Sequence, residues 1–166
     1  MRVYLPATTA SLRALLRTGA LADPPLTGFA VTPGLREYYL DDDIEELEYA
    51  ASAQAALASL RLLAADPTLV RRRIVIAADV EDSAVELRDD LDIGVVRVQV
   101  PVSLAWCASV HCDDADAEAT VAQAAELIDA ADLGDAEAEE KVDDASGFEL
   151  CWYATQEIED LLAELG

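Results

Sequence analysis

Between Tyr49 and Ala65 every residue except Ser52, Gln54, Ser59 and Arg61 is Ala, Leu or Tyr. The helix this stretch predicts therefore carries apolar side chains nearly all the way round. Asp43 followed by Glu46 forms a capping-box pattern, and the acids from Asp41 to Glu48 suit the positive end of the helix dipole, so the helix is expected to start at Ile44. Asp66-Pro67 ends it after Ala65. A helix with no polar side is expected to be the central and most buried one.

Strand patterns surround it. Ile74 to Ala78 is a continuous apolar run, the mark of a strand covered on both faces. Val96, Val98 and Val100 alternate with Arg97 and Gln99, and Pro101 closes that strand. From Ala105 to Cys112, alternation sets Trp106, Ala108, Val110 and Cys112 on one face and Cys107, Ser109 and His111 on the other, with a helical turn over Val102 to Trp106 as the competing reading. Val3 to Leu5 before Pro6, Gly28 to Val31, a short edge strand from Ala84 to Leu87, and the alternating Phe148, Leu150 and Trp152 complete the strand set.

Helical spacing recurs between them. Thr9 or Ser11 is expected to cap a helix with Leu12, Leu15 and Leu16 on one stripe, stopped by Gly19. Thr32-Pro33 opens a turn through Leu35, Tyr38 and Tyr39. Asp113 or Asp114 caps a helix with Val121, Ala124, Ala125 and Ile128 facing inward, and Thr155 caps a last one with Ile158, Leu161, Leu162 and Leu165. Asp135 to Ala145 offers only Ala138, Val142 and Ala145 for burial, so residues 132–147 are expected to be mobile. The whole reads as one α+β domain over residues 1–166, with a mixed five- or six-stranded sheet packed against helices.

Composition bounds the function. Of 166 residues, 53% are apolar, enough to bury a core, and the formal charge is −23. The charge is uneven: residues 113–166 carry eighteen acids against Lys141 alone, and residues 1–112 carry sixteen against ten arginines. Such a field repels bare nucleic acid and anionic membrane and attracts basic proteins and cations. No stretch has the length of a membrane span or the layout of a signal peptide, and Cys107, Cys112 and Cys151 are an odd set without CxxC spacing. A soluble protein of the reducing cytoplasm is expected.

No motif names a reaction. The phosphate loop, the dinucleotide fingerprint, GxSxG and HExxH are all missing, and no cofactor or metal is expected. His111 is the single histidine, so any nucleophile–base scheme passes through it. Ser109 shares its face, but two-residue spacing sets their backbones about 7 Å apart, too far for a direct hydrogen bond on a straight strand. Asp114, Asp116 and Glu118 alternate as in a calcium loop, yet Ala119 and Ala125 stand where Gly and Glu are needed. Asp41 to Asp43 with Glu45 and Glu46 are the other acidic cluster. Arg71-Arg72-Arg73 is expected to pair with the protein's own carboxylates. The aromatic pairs Tyr38-Tyr39 and Trp152-Tyr153 are rich in contact surface, and with the neighbouring charges they give a candidate binding set of Arg36, Tyr39, Glu48, His111, Trp152 and Tyr153.

The segments Met1 to Thr8, Glu45 to Ala51, Ser59 to Pro67 and Trp152 to Ile158 resemble a family of small acidic actinobacterial proteins. The resemblance implies a single domain and a high-GC source, in keeping with ten Arg to one Lys, and it carries no activity, cofactor or catalytic residue. The leading expectation is a non-enzymatic domain that binds a protein partner, basic in character. The alternatives are a small enzyme using carboxylates, with or without a divalent ion, and an acidic mimic of nucleic acid that occupies a basic protein.

Overall fold

The structure, a computed structural model, describes residues 1–40 and 43–166. Its elements are β1 (Arg2–Ala7), α1 (Thr9–Thr18), β2 (Ala20–Leu21), β3 (Leu26–Ala30), α2 (Pro33–Tyr39), α3 (Ile44–Ala65), β4 (Ile74–Asp79), β5 (Val85–Leu87), β6 (Val95–Val98), β7 (Val102–Ser103), β8 (Cys107–Cys112), α4 (Glu118–Asp132), α5 (Ala136–Ser146), β9 (Cys151–Tyr153) and α6 (Ile158–Leu165). Among the described residues the main sheet has seven strands in the order β5-β6-β3-β1-β4-β8-β9, and β2 pairs with β7 separately. Every pairing is antiparallel.

The α+β expectation holds, and the mixed five- or six-stranded sheet is corrected. Strands β3 and β4 both run antiparallel to β1, so they are parallel to each other, and α3 is the crossover between them. Because β1 fills the slot between them, no parallel neighbours arise. The pattern of strand, helix, strand in sequence suggested a parallel contact that this split arrangement removes.

The sheet has helices on both faces. Val3, Leu5 and Ala7 of β1 pack with Leu12 and Leu15 of α1 and with Ile158 and Leu161 of α6. Tyr4 of β1 and Val75 and Ala77 of β4 look the other way, onto Leu47, Ala51 and Ala55 of α3. The C-terminal half of α3 joins α4 and α5 through Leu60, Leu63, Val121, Ile128 and Val142. Ser59 ties the layers together: its Oγ donates to Ala7 O at 2.7 Å and accepts from Ile74 N at 3.0 Å.

Local chemistry sets the boundaries. Thr8, not Thr9 or Ser11, caps α1, with the Ser11 hydroxyl returning the bond to Thr8 N, and Gly19 closes that helix at φ 82°. Asp43 caps α3 by accepting from Glu45 N. Strand β1 runs through Pro6, which pairs with Val75, because the registered pairing of β1 with β3 stops at Tyr4 and only one neighbour remains beyond it. Residues 136–146 form α5, held on α4 by the expected Ala138, Val142 and Ala145.

Two further expectations fail for identifiable reasons. Helix α3 buries Leu47, Ala51, Ala55, Ala56, Ser59, Leu60 and Leu63 but exposes Tyr49 by 58% and Leu62 by 42%, so it is a surface helix with an apolar outer side. In β8 the register slips between Ala77 and Ala78 of β4, so that Ser109 opposes Ala77 and Cys107 opposes Ala78. The bulge turns Cys107 onto the face of Val110 and Cys112, away from Ser109 and His111.

A cleft between α3 and the strand at the sheet edge

Register brings the site residues together. One row across the sheet reads Phe29, Tyr4, Ala77, Ser109, and the next reads Pro6, Val75, His111, Trp152. Residues directly opposed in a sheet project to the same side, so both rows lie on the α3 face. Over the second row, α3 and the connection 147–150 leave a cleft of about 310 Å³. Tyr4 and His111 form its floor, Glu45, Glu48 and Tyr49 one wall, and Phe148, Glu149 and Leu150 the other.

The wall made by residues 147–150 is pinned from below. Arg73 Nε and Nη2 donate to Asp113 Oδ2 and Oδ1 at 2.8 and 2.7 Å, Arg73 N donates to Oδ2 at 2.8 Å, and Nη2 also donates to Phe148 O at 3.1 Å. Both side chains are buried, so this fork is a fixed strut. Above it, Tyr49 Oη donates to Glu149 Oε1 at 2.8 Å, a clasp across the mouth. That bond to a carboxylate holds the Tyr49 phenol above its ordinary pKa.

The floor is neutral and the rim acidic. Burial, with the Arg2 charge nearby, holds the His111 pKa below its ordinary 6.5, so the imidazole is uncharged at neutral pH. Burial and then Glu48 raise the Tyr4 pKa, and the phenol stays protonated. Ser109 Oγ lies 3.0 Å from His111 Nε2. On a straight strand that contact would be too long, but the two side chains lean together across about 7 Å of backbone. Ser109 is 5% exposed and lies outside the cleft lining. No ion pair among the described residues uses Glu45, Glu48 or Glu149.

A second, shallower groove of about 820 Å³ continues along the outer side of α3. It shares Glu45, Tyr49, Ala53, Leu57 and Ser146 with the cleft and extends to Tyr39 and Glu46. Tyr39 packs edge-on against Tyr38, with ring centroids 5.1 Å apart.

Of the six residues singled out from sequence, Glu48 and His111 line the cleft and Tyr39 lines the adjoining groove. Trp152 stands beside the cleft as the cross-strand partner of His111, 62% exposed. Tyr153 packs on the opposite side of the sheet, and Arg36 lies on the exposed side of α2, outside these linings. Sequence reasoning missed Tyr4, Tyr49, Phe148 and Glu149. The one usable signal was Tyr49, an aromatic residue on an otherwise Ala- and Leu-rich helix.

Two arginines of the run pair with carboxylates as expected, and Arg71 does not. Arg72 pairs with Glu118 and Arg73 with Asp113, while Arg71 donates to the carbonyls of Leu63, Asp66 and Leu69 at the end of α3. Among the described residues, no three His, Cys, Asp or Glu side chains converge as a metal site, and no helix is long and apolar enough to cross a membrane. Asp41 and Asp42 of the acidic cluster before α3 lie outside the described residues.

Fold and cleft together define an α+β domain with an antiparallel sheet and an acid-rimmed aromatic recess on one face. The chain belongs to a family of unknown function, DUF6912, which it matches over residues 1–162. No curated protein and no solved structure matches it.

Proposed function

We propose that this domain is a non-enzymatic binding module, and that the cleft and its groove along α3 receive a cationic segment of a partner protein. One observation carries the reading: Glu45, Glu48 and Glu149 stand over the aromatic surface of Tyr49 and Phe148, and among the described residues no ion pair uses them. Arg73, which lines the cleft, is already held by Asp113, and Arg2, whose charge reaches Glu48, is held by Asp79. A Lys or Arg side chain entering the cleft meets a neutral floor, carboxylates at the rim and the rings of Tyr49 and Phe148, an arrangement that favours cations over neutral groups. The remaining acidic surface draws basic partners in and keeps nucleic acid away. In this reading the protein is cytoplasmic and of actinobacterial origin.

The test separates the cleft from the overall charge. Tagged protein is passed through lysate of the source organism, and bound proteins are identified at low and moderate salt. The triple variant Glu45→Gln, Glu48→Gln, Glu149→Gln is compared with one neutralising Glu137, Glu139 and Glu140 on α5. Loss of a stoichiometric basic partner in the first variant alone supports the module. Equal loss in both, or no partner that survives moderate salt, refutes it.

A second reading, a small hydrolytic enzyme, draws on the 3.0 Å contact between Ser109 and His111 and on the carboxylates around His111. It requires Ser109 to become accessible. Stoichiometric labelling of Ser109 by a serine-reactive phosphonate, abolished in His111→Ala, would favour it over the binding module.

A further inference from the structure

We propose that Cys112 and Cys151 are a reactive thiol pair, which a low-molecular-weight disulfide such as oxidised glutathione converts into a cross-strand disulfide fastening β9 to β8. The register sets Cys112 directly opposite Cys151 and continues a row that reads Ala7, Ile74, Cys112, Cys151 across four strands. Opposed residues of antiparallel strands have Cα atoms about 4.5 or 5.5 Å apart, and both values fall inside the range a disulfide spans. Both side chains project to the same side of the sheet, and all three cysteines are free.

Cys107 does not compete. The bulge places it opposite Ala78 of β4, and the pairing of β9 with β8 covers only Val110, His111 and Cys112. The two proposed partners differ in access. Cys151 is half-buried on a three-residue strand at the sheet edge, whereas Cys112 is wholly buried, its Sγ donating to Asp113 O at 3.4 Å.

The chemistry balances with the reagent as the only oxidant. The Cys151 thiolate attacks one sulfur of the reagent, breaks its S–S bond and expels one small thiol, leaving a mixed disulfide. The Cys112 thiolate then attacks the Cys151 sulfur and expels the second small thiol. Two protein thiols and one small disulfide become one protein disulfide and two small thiols, so both electrons reside on the reagent. Burial and the neighbouring Asp113 raise the Cys112 thiol to about 12, which makes ring closure the slow step. Its rate is expected to rise about tenfold per pH unit from neutrality upward.

The test uses the folded full chain with excess oxidised glutathione at about pH 8.5, followed by acid quench, maleimide capping and intact mass. The expected product has lost about 2 Da and accepts one cap. Trypsin cuts after Lys141, which separates Cys112 from Cys151, so an unreduced digest holds the two peptides joined. Cys107→Ser should lose the same ~2 Da and accept no cap, and Cys112→Ser should stop at the mixed disulfide. If Cys112→Ser does not fold, Cys151→Ser replaces it and should show no closure. A stable mixed disulfide without closure in the Cys107→Ser protein overturns the pairing. So does a crosslink that disappears in Cys107→Ser, or one that forms only once the near-ultraviolet dichroism of the fold is lost. Each outcome is independent of whether the cleft binds a basic segment.

Discussion

Replacing Asp113 by Ala removes the carboxylate that receives three donors from Arg73 and leaves a guanidinium 4% exposed with one remaining partner, Phe148 O. Removing one member of a buried pair costs about 3–5 kcal/mol, chiefly because the surviving charge stays desolvated. Domains of this size have total stabilities of about 5–15 kcal/mol, so the variant should lose about a fifth of its margin or more. At about 2–4 °C per kcal/mol, the melting temperature should fall by roughly 6–20 °C. Urea unfolding followed by far-ultraviolet dichroism gives the free energy, and calorimetry gives the midpoint. The double variant Arg73→Met, Asp113→Leu strands no charge, only the backbone amide of residue 73, and should lose about 1–3 kcal/mol, less than the single variant. The strut also holds Phe148, so amide exchange at residues 147–150 should quicken in Asp113→Ala more than exchange in β1 and β4 does. A loss below about 1 kcal/mol in Asp113→Ala, or a double variant as unstable as the single one, would refute the reasoning.

Ser59→Ala strands a buried carbonyl at Ala7 and a buried amide at Ile74, and should cost about 2–4 kcal/mol by denaturant unfolding. Gly28→Ala would bring a methyl group to 2.5 Å from Val3 Cγ1, and the forced shift in β1 should cost about 1–3 kcal/mol by the same measurement. Because the folded His111 has a pKa below 6.5, the unfolded chain binds the extra proton first. Stability should therefore decline as pH falls through 6.5 toward the folded value and level off below it, and His111→Gln should flatten that part of the profile.

Where a boundary depended on neighbours in sequence, the residues announced it. Asp43 and Asp66 bracket α3, and Ile74 to Ala78 reads as a doubly covered strand and is one. The burial of α3 was misjudged because alanine is apolar by composition yet small enough to sit at a surface, so Tyr49, Ala53 and Leu57 carried no sign of which way they face. The cleft was harder still. Tyr49 and Glu149 meet across a separation of 100 residues, and no local pattern foretells that contact. Nor did alternation in β8 reveal the slip that moves Cys107 off the His111 face, since a bulge conserves every residue type and changes only the pairing.

The split arrangement around β1 bears on how the chain is made. Of the strands of this sheet, the central one, β1, is made before the others, and it gains β3 on one side as soon as Ala30 emerges opposite Val3. Its other edge, where Arg2 meets Asp79, stays open until β4 has been synthesised, roughly 2–10 s later at ~5–20 residues per second. During that interval the backbone groups of Arg2 to Ala7 that later pair with β4 stay unpaired along that edge. Nascent chains stalled between α3 and β4 should be the ones most prone to associate through a bare strand, and the ones a chaperone would engage.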